Sequence, residues 1–96
     1  MSFIKTAEKV LKEEGKALIR LSGLIGEGFE KGVGILAASK GKIVVAGMGK
    51  SGLVGRKIAA SLSSTGSPAL FLHAAESLHG DIGVLSAADA LLILSY

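Results

Sequence analysis

The sequence predicts an α/β fold: a three-layer, doubly wound parallel sheet, truncated to about three strands and preceded by two N-terminal helices. Short apolar runs alternate with helical segments, and a glycine-rich turn joins the first apolar run to the helix after it. Strands that alternate with helices form parallel sheets through right-handed crossovers. Three such strands most simply lie in the order 2-1-3, which opens a crevice at the carboxyl end of the first strand.

The first 41 residues are predicted to form a helical arm. Over residues 3–21, apolar side chains recur at three- and four-residue steps and lysines take the other side, so we expect this helix to bury one face. Residues 24–39 continue helically, although their glycines each cost about 1 kcal/mol against Ala in a helix interior. Such glycines allow close contact between helices or subunits. Lys40-Gly41 is a typical helix end.

Residues 42–96 are predicted to form a βαβ(α)β core. The strands are expected at Ile43–Ala46, Ala69–Leu72 and Ala90–Ser95, because these runs are short, apolar and bounded by turn residues. A helix is expected over residues 51–65, and a short one near Glu76–His79. In the longer helix, Leu53, Val54, Ile58 and Leu62 are predicted to line one apolar face, and Arg56 and Lys57 to be solvated positions away from it.

Composition excludes several classes of protein. The 96 residues allow one domain, and 49 % apolar residues suffice for a core. The net charge of +3 is spread over mixed-charge segments, so no nucleic-acid interface is predicted. The chain has no cysteine, and its apolar runs are far shorter than the ~20 residues of a membrane span. A cytoplasmic protein without a membrane segment or signal peptide is expected.

The turn at residues 47–52 is the principal candidate site. Gly47, Gly49 and Gly52 let the backbone approach a ligand, and the helix that follows offers free N–H groups and a positive dipole end. Lys50 adds a charge and Ser51 a hydroxyl. This combination is typical of a site for a phosphorylated small molecule.

Three interpretations of this turn compete. A nucleotide-binding P-loop would need a glycine at Val44, inside the strand. A dinucleotide fold would match G-x-G-x-x-G, but the second strand ends at His73 and the nearest acid, Glu76, comes three residues late. The third interpretation, a sugar-phosphate site, is the one that we favour.

Polar residues after the second strand favour a sugar phosphate. His73, Glu76, His79 and Asp81 lie in an otherwise apolar neighbourhood, and a histidine of near-neutral pKa suits proton transfer. Each also has a structural explanation, such as a hydrogen bond at a strand end or turn. Their spacing is no recognised zinc pattern, so neither metal nor cofactor is predicted.

The chain resembles the sugar isomerase (SIS) domain of the arabinose-5-phosphate isomerases. The resemblance covers essentially the whole chain and is clearest from Gly41 onward. The segments that carry it are Gly47-Met48-Gly49-Lys50-Ser51-Gly52, Gly55-Arg56-Lys57-Ile58-Ala59-Ala60, Ser64-Thr65-Gly66-Ser67-Pro68-Ala69, His73, Glu76 and His79-Gly80-Asp81-Ile82-Gly83.

The resemblance implies interconversion of ribulose 5-phosphate and arabinose 5-phosphate, which leads to Kdo and lipopolysaccharide. It implies a cytoplasmic, usually tetrameric protein with active sites shared between subunits. Lys50 corresponds to the family's lysine that acts on the sugar, where it would stabilise the developing oxyanion, and His79 corresponds to an active-site histidine. The chemistry implied is proton transfer between C1 and C2 through an enediol. The residues expected to bind substrate are Gly47, Gly49, Ser51, Gly52, His73, Glu76 and Asp81.

The chain also departs from the family pattern. Ala74 stands where the family often has proline, and Leu53 where it often has histidine. A phosphate-gripping serine-rich loop, a catalytic glutamate and a later histidine would follow Tyr96. We therefore expect the chain to be the N-terminal portion of one SIS domain and inactive alone. The alternatives are a non-catalytic module that senses a sugar phosphate, or a purely structural oligomerisation domain.

Overall fold

The computed structural model describes residues 2–76 and 81–95. Its elements, in chain order, are α1 (Phe3–Ser22), α2 (Glu27–Ala37), β1 (Ile43–Gly47), α3 (Gly49–Ser64), β2 (Ala69–His73), a 3-10 helix (Asp81–Val84) and β3 (Ala90–Ile93). The chain divides into two compact units, Met1–Gly32 and Val33–Tyr96. The division into an arm of residues 1–41 and a core of residues 42–96 stays a prediction.

The first unit is dominated by α1. The Ser2 hydroxyl accepts a hydrogen bond from the Lys5 N–H at 3.3 Å, and the Gly23 N–H donates to the Arg20 carbonyl at 3.2 Å. All 20 residues of α1 are described and none is buried. The prediction that this helix buries one face is therefore wrong for the single chain.

The second helix is shorter than predicted. It was expected over residues 24–39 and forms only over Glu27–Ala37. The N–H groups of Phe29 and Glu30 both donate to the Gly26 carbonyl, at 3.1 and 3.2 Å, which marks the true start. Glycine disfavours helix, so the segment that begins at Gly23 forms a connection instead.

The sheet confirms the predicted fold class. Its three parallel strands lie in the order β2-β1-β3. Ile43 pairs with Ala69 on one side and with Ala90 on the other, so the carboxyl ends of all three strands lie at one edge. The strand order reverses beside β1, which is where a doubly wound sheet opens its crevice.

Each face of the sheet carries a separate part of the core. Val44 and Val45 are fully buried, one on each face, because alternate residues of a strand point to opposite sides. Val45 packs with Ile43 and Ala59 on the α3 face. Val44 packs on the other face with Ala46 and Leu72. β1 is thus buried on both sides, as its apolar sequence predicts.

α3 begins at Gly49, two residues earlier than predicted, and only half of the expected apolar face packs on the sheet. Ile58 and Leu62 pack against the core cluster of Ile43, Val45 and Ala59, as expected. Leu53 and Val54 are 68 % and 56 % exposed, whereas the buried residues are Gly52, Gly55 and Ala59. A Cβ atom at Gly55 would lie only 3.0 Å from the Phe71 ring, so the helix backbone rests directly on the sheet.

Arg56 is exposed as expected, but it is not merely a solvated side chain. Its guanidinium lies over the Phe71 ring, 4.5 Å from the centroid. A cation over an aromatic face is attracted by the ring quadrupole. Arg56 therefore covers a β2 ring that α3 approaches through glycines.

The amino ends of β1 and β3 are tied together by Asp89. Its carboxylate accepts hydrogen bonds from the Lys42 ammonium at 2.7 Å, the Lys42 N–H at 2.9 Å and the Ser86 N–H at 2.8 Å. The Lys42 side-chain hydrogen bond, and next the Ser86 N–H, lower the pKa of Asp89 to about 2. This cluster lies at the sheet edge opposite the crevice.

Candidate functional site

The site is built where β1 passes into α3. β1 ends at Gly47, Met48 continues in extended conformation, and Gly49 begins the helix with φ at 61°. A residue with a Cβ is strained at that φ, which is why glycine suits the position. Lys50 and Ser51 follow in the first turn of α3, so the helix starts immediately at the edge of the sheet.

The start of α3 has no side-chain cap. Met48 occupies the N-cap position and makes no side-chain hydrogen bond to the helix. The first N–H groups of a helix have no intrahelical acceptor, and they carry the positive end of the helix dipole. An acceptor from outside the helix, such as an oxygen of an anionic ligand, can take this place.

Three backbone segments converge beneath this turn. A Cβ atom at Gly47 would lie 3.2 Å from the Gly52 nitrogen and 3.3 Å from the Leu94 carbonyl oxygen. The Leu94 N–H donates to the Ala46 carbonyl at 2.9 Å, which keeps the end of β3 beside the end of β1. A side chain at Gly47 would require these backbone segments to shift apart, so backbone forms the floor of the site at this point.

A cavity of about 660 Å³ opens above this floor. Its lining contains Met48, Lys50, Ser51, Leu94 and Ser95. A neighbouring cavity of about 400 Å³ shares most of these residues and adds Val54 and Ile93. Volumes of this size are typical of small-molecule sites. The cavity therefore lies at the carboxyl ends of β1 and β3, where the strand order reverses.

The structure brings five of the predicted site residues together. Gly47, Gly49 and Gly52 form the turn, and Lys50 and Ser51 line the cavity. Lys50 is exposed and Ser51 is half-buried. Chemically, this part of the site offers an ammonium, a hydroxyl and helix N–H groups to one ligand.

The other four predicted residues come from the segment after β2. His73 is the last residue of β2 and is in register with Gly47, and Glu76 is exposed. Asp81 begins the 3-10 helix Asp81–Val84. His79 lies outside the described residues. Neither His73 nor Glu76 is part of the described lining of the two cavities at the turn.

The ring of His73 has one unusual feature. Its Nδ1 atom is buried and makes no hydrogen bond within the described part of the chain. Buried ring nitrogens normally have a partner, because leaving one unpaired costs about 1–3 kcal/mol. Among the described residues, no group pairs with this nitrogen near the carboxyl end of β2.

Three lining residues were not predicted as site residues: Met48, Leu94 and Ser95. A signal for two of them was available, because the order 2-1-3 places the end of β3 beside the glycine turn. Met48 lies within the turn itself. Together with Leu94 it gives the cavity an apolar wall opposite the polar groups of the helix start.

Two features are absent from the described residues. Residues 2–76 and 81–95 contain no group of three or more histidine, aspartate or glutamate side chains arranged to hold a metal ion. Within the same ranges, no helix combines the length and the apolar character needed to cross a membrane.

Comparison with known sequences matches the chain to the SIS domain family. The SIS domain model matches residues 35–96. Arabinose 5-phosphate isomerase KdsD of Pseudomonas aeruginosa is 47 % identical over 95 residues, which are 99 % of this chain and 29 % of the relative. The chain spans only 28–30 % of the length of the curated relatives that it matches.

Comparison with solved structures also finds proteins of similar fold. A Bacteroides fragilis protein assigned as a phosphosugar isomerase involved in capsule formation superposes with a TM-score of 0.87 at 36 % identity, covering 98 % of this chain and 50 % of that protein. A protein of Escherichia coli CFT073, solved in complex with arabinose 5-phosphate, gives a TM-score of 0.78 at 31 % identity, covering 99 % and 52 %. Since the family model matches well over half of its residues, this chain belongs to the SIS domain family.

Proposed function

We propose that the whole protein binds a pentose phosphate in the cavity above the glycine turn and interconverts ribulose 5-phosphate and arabinose 5-phosphate. The observation that carries this proposal is the placement of Lys50 and Ser51 on one cavity at the start of an uncapped helix. It gains support from the curated relatives, which are arabinose 5-phosphate isomerases, and from the structural relative solved with arabinose 5-phosphate bound.

The reaction requires a proton to move between neighbouring carbons. A general base removes the proton from the carbon beside the carbonyl, and an enediol forms as the carbonyl oxygen gains a proton. A proton then returns to the carbon that carried the original carbonyl, while the hydroxyl on the neighbouring carbon loses its proton and becomes the new carbonyl, so the sugar is neither oxidised nor reduced overall. In this proposal Lys50 stabilises the negative charge that develops on the carbonyl oxygen.

The remaining roles are proposed from the family resemblance. His79 is proposed as the group that carries the proton. Ser51 and the backbone at Gly47, Gly49 and Gly52 are proposed to hold substrate oxygens, and His73, Glu76 and Asp81 to hold others. Ser95, on the same cavity wall, extends the polar surface available to the substrate.

We also propose the cellular setting that the resemblance implies. The protein would be a cytoplasmic homo-oligomer, tetrameric as is usual in the family, and would supply arabinose 5-phosphate for Kdo and lipopolysaccharide. The 96 residues would form the N-terminal portion of its SIS domain, with a helical arm of residues 1–41 and a core of residues 42–96.

The test is a substitution of Lys50 with a matched control on the same helix. Interconversion of the two pentose phosphates is followed by NMR in the whole protein. Lys50→Met is expected to lower kcat/KM by about 100- to 1000-fold, the usual effect of removing one group that stabilises an oxyanion. Lys57→Met removes an equal charge from an exposed position of α3 outside the described cavity lining, and is expected to leave the rate unchanged.

The same assay separates the rival functions. Unchanged turnover in Lys50→Met would refute the role of Lys50. A ligand-dependent rise in Tm with no turnover by the whole protein would instead indicate a sugar-phosphate sensor. Neither binding nor turnover would indicate a structural oligomerisation domain. The 96-residue chain is assayed in parallel, and full activity from it would refute the expectation that it is inactive alone.

A further inference from the structure

We propose that Phe71 is a positioning residue of the candidate site, whose ring supports the start of α3 from the sheet, and that Arg56 holds this ring in place. The residues that they position are Lys50 and Ser51, so this role rests on the proposed function. Neither Phe71 nor Arg56 is part of the described lining of the two cavities at the turn. Both therefore act on the site through the helix.

The ring of Phe71 lies against two contact points on α3. Phe71 belongs to β2 and is in register with the fully buried Val45 of β1. A Cβ atom at Gly52 would lie 3.5 Å from the ring atom Cζ, and a Cβ atom at Gly55 would lie 3.0 Å from Cε1. Residues three apart lie on the same face of a helix. The edge of one ring therefore sets how closely the first two turns of α3 approach the sheet.

The contact at Gly52 connects the ring to the site. Gly52 directly follows Lys50 and Ser51, which line the cavity. Its N–H donates to the Met48 carbonyl at 3.1 Å, which is the first hydrogen bond of the α3 ladder. A shift of the helix at Gly52 would therefore move the turn before it, together with the Lys50 ammonium. Misplacing a catalytic group by about 1 Å can lower a rate by about 100-fold.

Arg56 contacts the same ring over its face. β2 is an outer strand of the described sheet, with β1 as its neighbour. The Arg56 guanidinium lies 4.5 Å from the centroid of the Phe71 ring. Arg56 follows Gly55 in the chain, so backbone at the ring edge and a cation over the ring face both come from α3. A cation over an exposed ring contributes an energy that corresponds to a change of about two- to fivefold in population.

A purely structural role for Phe71 makes a different prediction. Phe71 packs against the core cluster of Ile43, Val45 and Ala59, so a shorter side chain lowers stability in either case. A structural residue changes the amount of folded protein and leaves the turnover of each folded molecule unchanged. A positioning residue lowers kcat of the folded protein, because Lys50 is proposed to stabilise charge that develops only in the transition state. Losing such an interaction leaves KM nearly unchanged.

The experiment compares four variants of the whole protein: Phe71→Leu, Arg56→Gln, Arg56→Lys and the control Lys57→Gln. Interconversion of ribulose 5-phosphate and arabinose 5-phosphate is followed by NMR well below the Tm of each variant. Phe71→Leu is expected to lower kcat by about 10- to 100-fold and Arg56→Gln by about two- to fivefold, with KM nearly unchanged. Arg56→Lys keeps a cation for the ring and should restore most of kcat. Lys57→Gln removes a charge from the next, exposed position of α3 and should leave kcat unchanged.

Amide hydrogen exchange tests the same support without turnover. Exchange in the whole protein, read by mass spectrometry in the peptide that contains Gly52, reports opening at the start of α3. Arg56→Gln is expected to speed this exchange by about two- to fivefold, and Arg56→Lys and Lys57→Gln to leave it near the wild-type rate. If the wild-type protein has no isomerase activity, the proposed function fails, and exchange at Gly52 still decides whether the ring and Arg56 support the helix.

Three results would overturn the proposal. The first is exchange at Gly52 that is unchanged in Arg56→Gln. The second, in an active protein, is a kcat for Arg56→Gln equal to that of wild type or no lower than that of Lys57→Gln. The third is an Arg56→Lys protein as slow as Arg56→Gln, which would exclude the contact between cation and ring. If Phe71→Leu does not fold, the two arginine variants decide, because they change an exposed side chain.

Discussion

Gly55 marks the closest approach of α3 to the sheet, and replacing it with alanine tests how tightly this part of the core is packed. The added Cβ would lie 3.0 Å from Cε1 of Phe71 and 3.2 Å from Cγ1 of Val45. Val45 is fully buried in the central strand, and Arg56 covers the Phe71 ring. Neither neighbour can move away without disturbing other contacts.

The expected effect is the difference between two opposing terms. Overpacking a core by a methyl group costs about 1–3 kcal/mol. Alanine recovers about 1 kcal/mol of helix propensity relative to glycine. Gly55→Ala should therefore destabilise the protein by about 1 kcal/mol, which lowers the Tm of a domain of this size by about 4–8 °C.

Gly34→Ala in α2 is the matched control, because a Cβ there would meet nothing within 4 Å. Only the propensity term applies, so its Tm should rise by about 4–8 °C. Both variants are melted alongside wild type by far-UV circular dichroism. A Gly55→Ala protein as stable as Gly34→Ala would refute the close packing of α3 on β1 and β2.

Three further predictions concern the sheet edge and the turn. The pKa of Asp89 is lowered from 3.8 to about 2 in the folded protein, so the ionised carboxylate stabilises the fold at pH values above this range. Asp89→Asn should therefore lower the Tm at neutral pH, and the difference in Tm from wild type should close as the pH falls from 3.8 towards 2. Gly41→Ala places its methyl group against the Asp89 carboxylate and 3.1 Å from the Ala88 carbonyl, so it should lower the Tm. The double variant with Asp89→Asn should show a fall in Tm smaller than the sum of the falls in the two single variants. Gly49 has a φ of 61° and open space around it. Gly49→Ala should therefore lower the free energy of unfolding by about 1–2 kcal/mol through backbone strain alone, as measured by urea titration. A variant as stable as wild type would contradict the assigned backbone conformation.

The strand pattern could be predicted because it depends on short-range signals. Ile43–Ala46 is apolar and β-branched on both faces, which indicates a central parallel strand. Right-handed crossovers then leave few topologies, and the order β2-β1-β3 follows. The turn at residues 47–52 was predicted for the same reason, because glycines after a buried strand carry a specific backbone requirement.

Hydrophobicity predicted only part of the packing face of α3, through Ile58 and Leu62, which pack against the core. Glycine adds nothing to an apolar stripe, yet Gly52 and Gly55 form the surface that meets the sheet. Leu53 and Val54 carried the apolar signal and are exposed. A helix can pack on a sheet through close backbone contact or through buried apolar side chains, and a hydrophobic pattern in the sequence reveals only the second.

Half of the candidate site was accessible from local sequence, and half depended on tertiary structure. Lys50 and Ser51 follow the glycine turn directly, so their position on the crevice was predictable. Leu94 and Ser95 reach the same cavity only because β3 lies beside β1.

The backbone floor beneath the cavity limits which residues of the site can be substituted. Gly47, Gly52 and the Leu94 carbonyl meet without an intervening side chain, so any enlargement at Gly47 would force the strands and helix apart. Met48 and Ser51 lie above that floor and can change without moving it. Ligand preference in such a protein can therefore diversify through side chains on the rim, while the platform that holds them stays fixed.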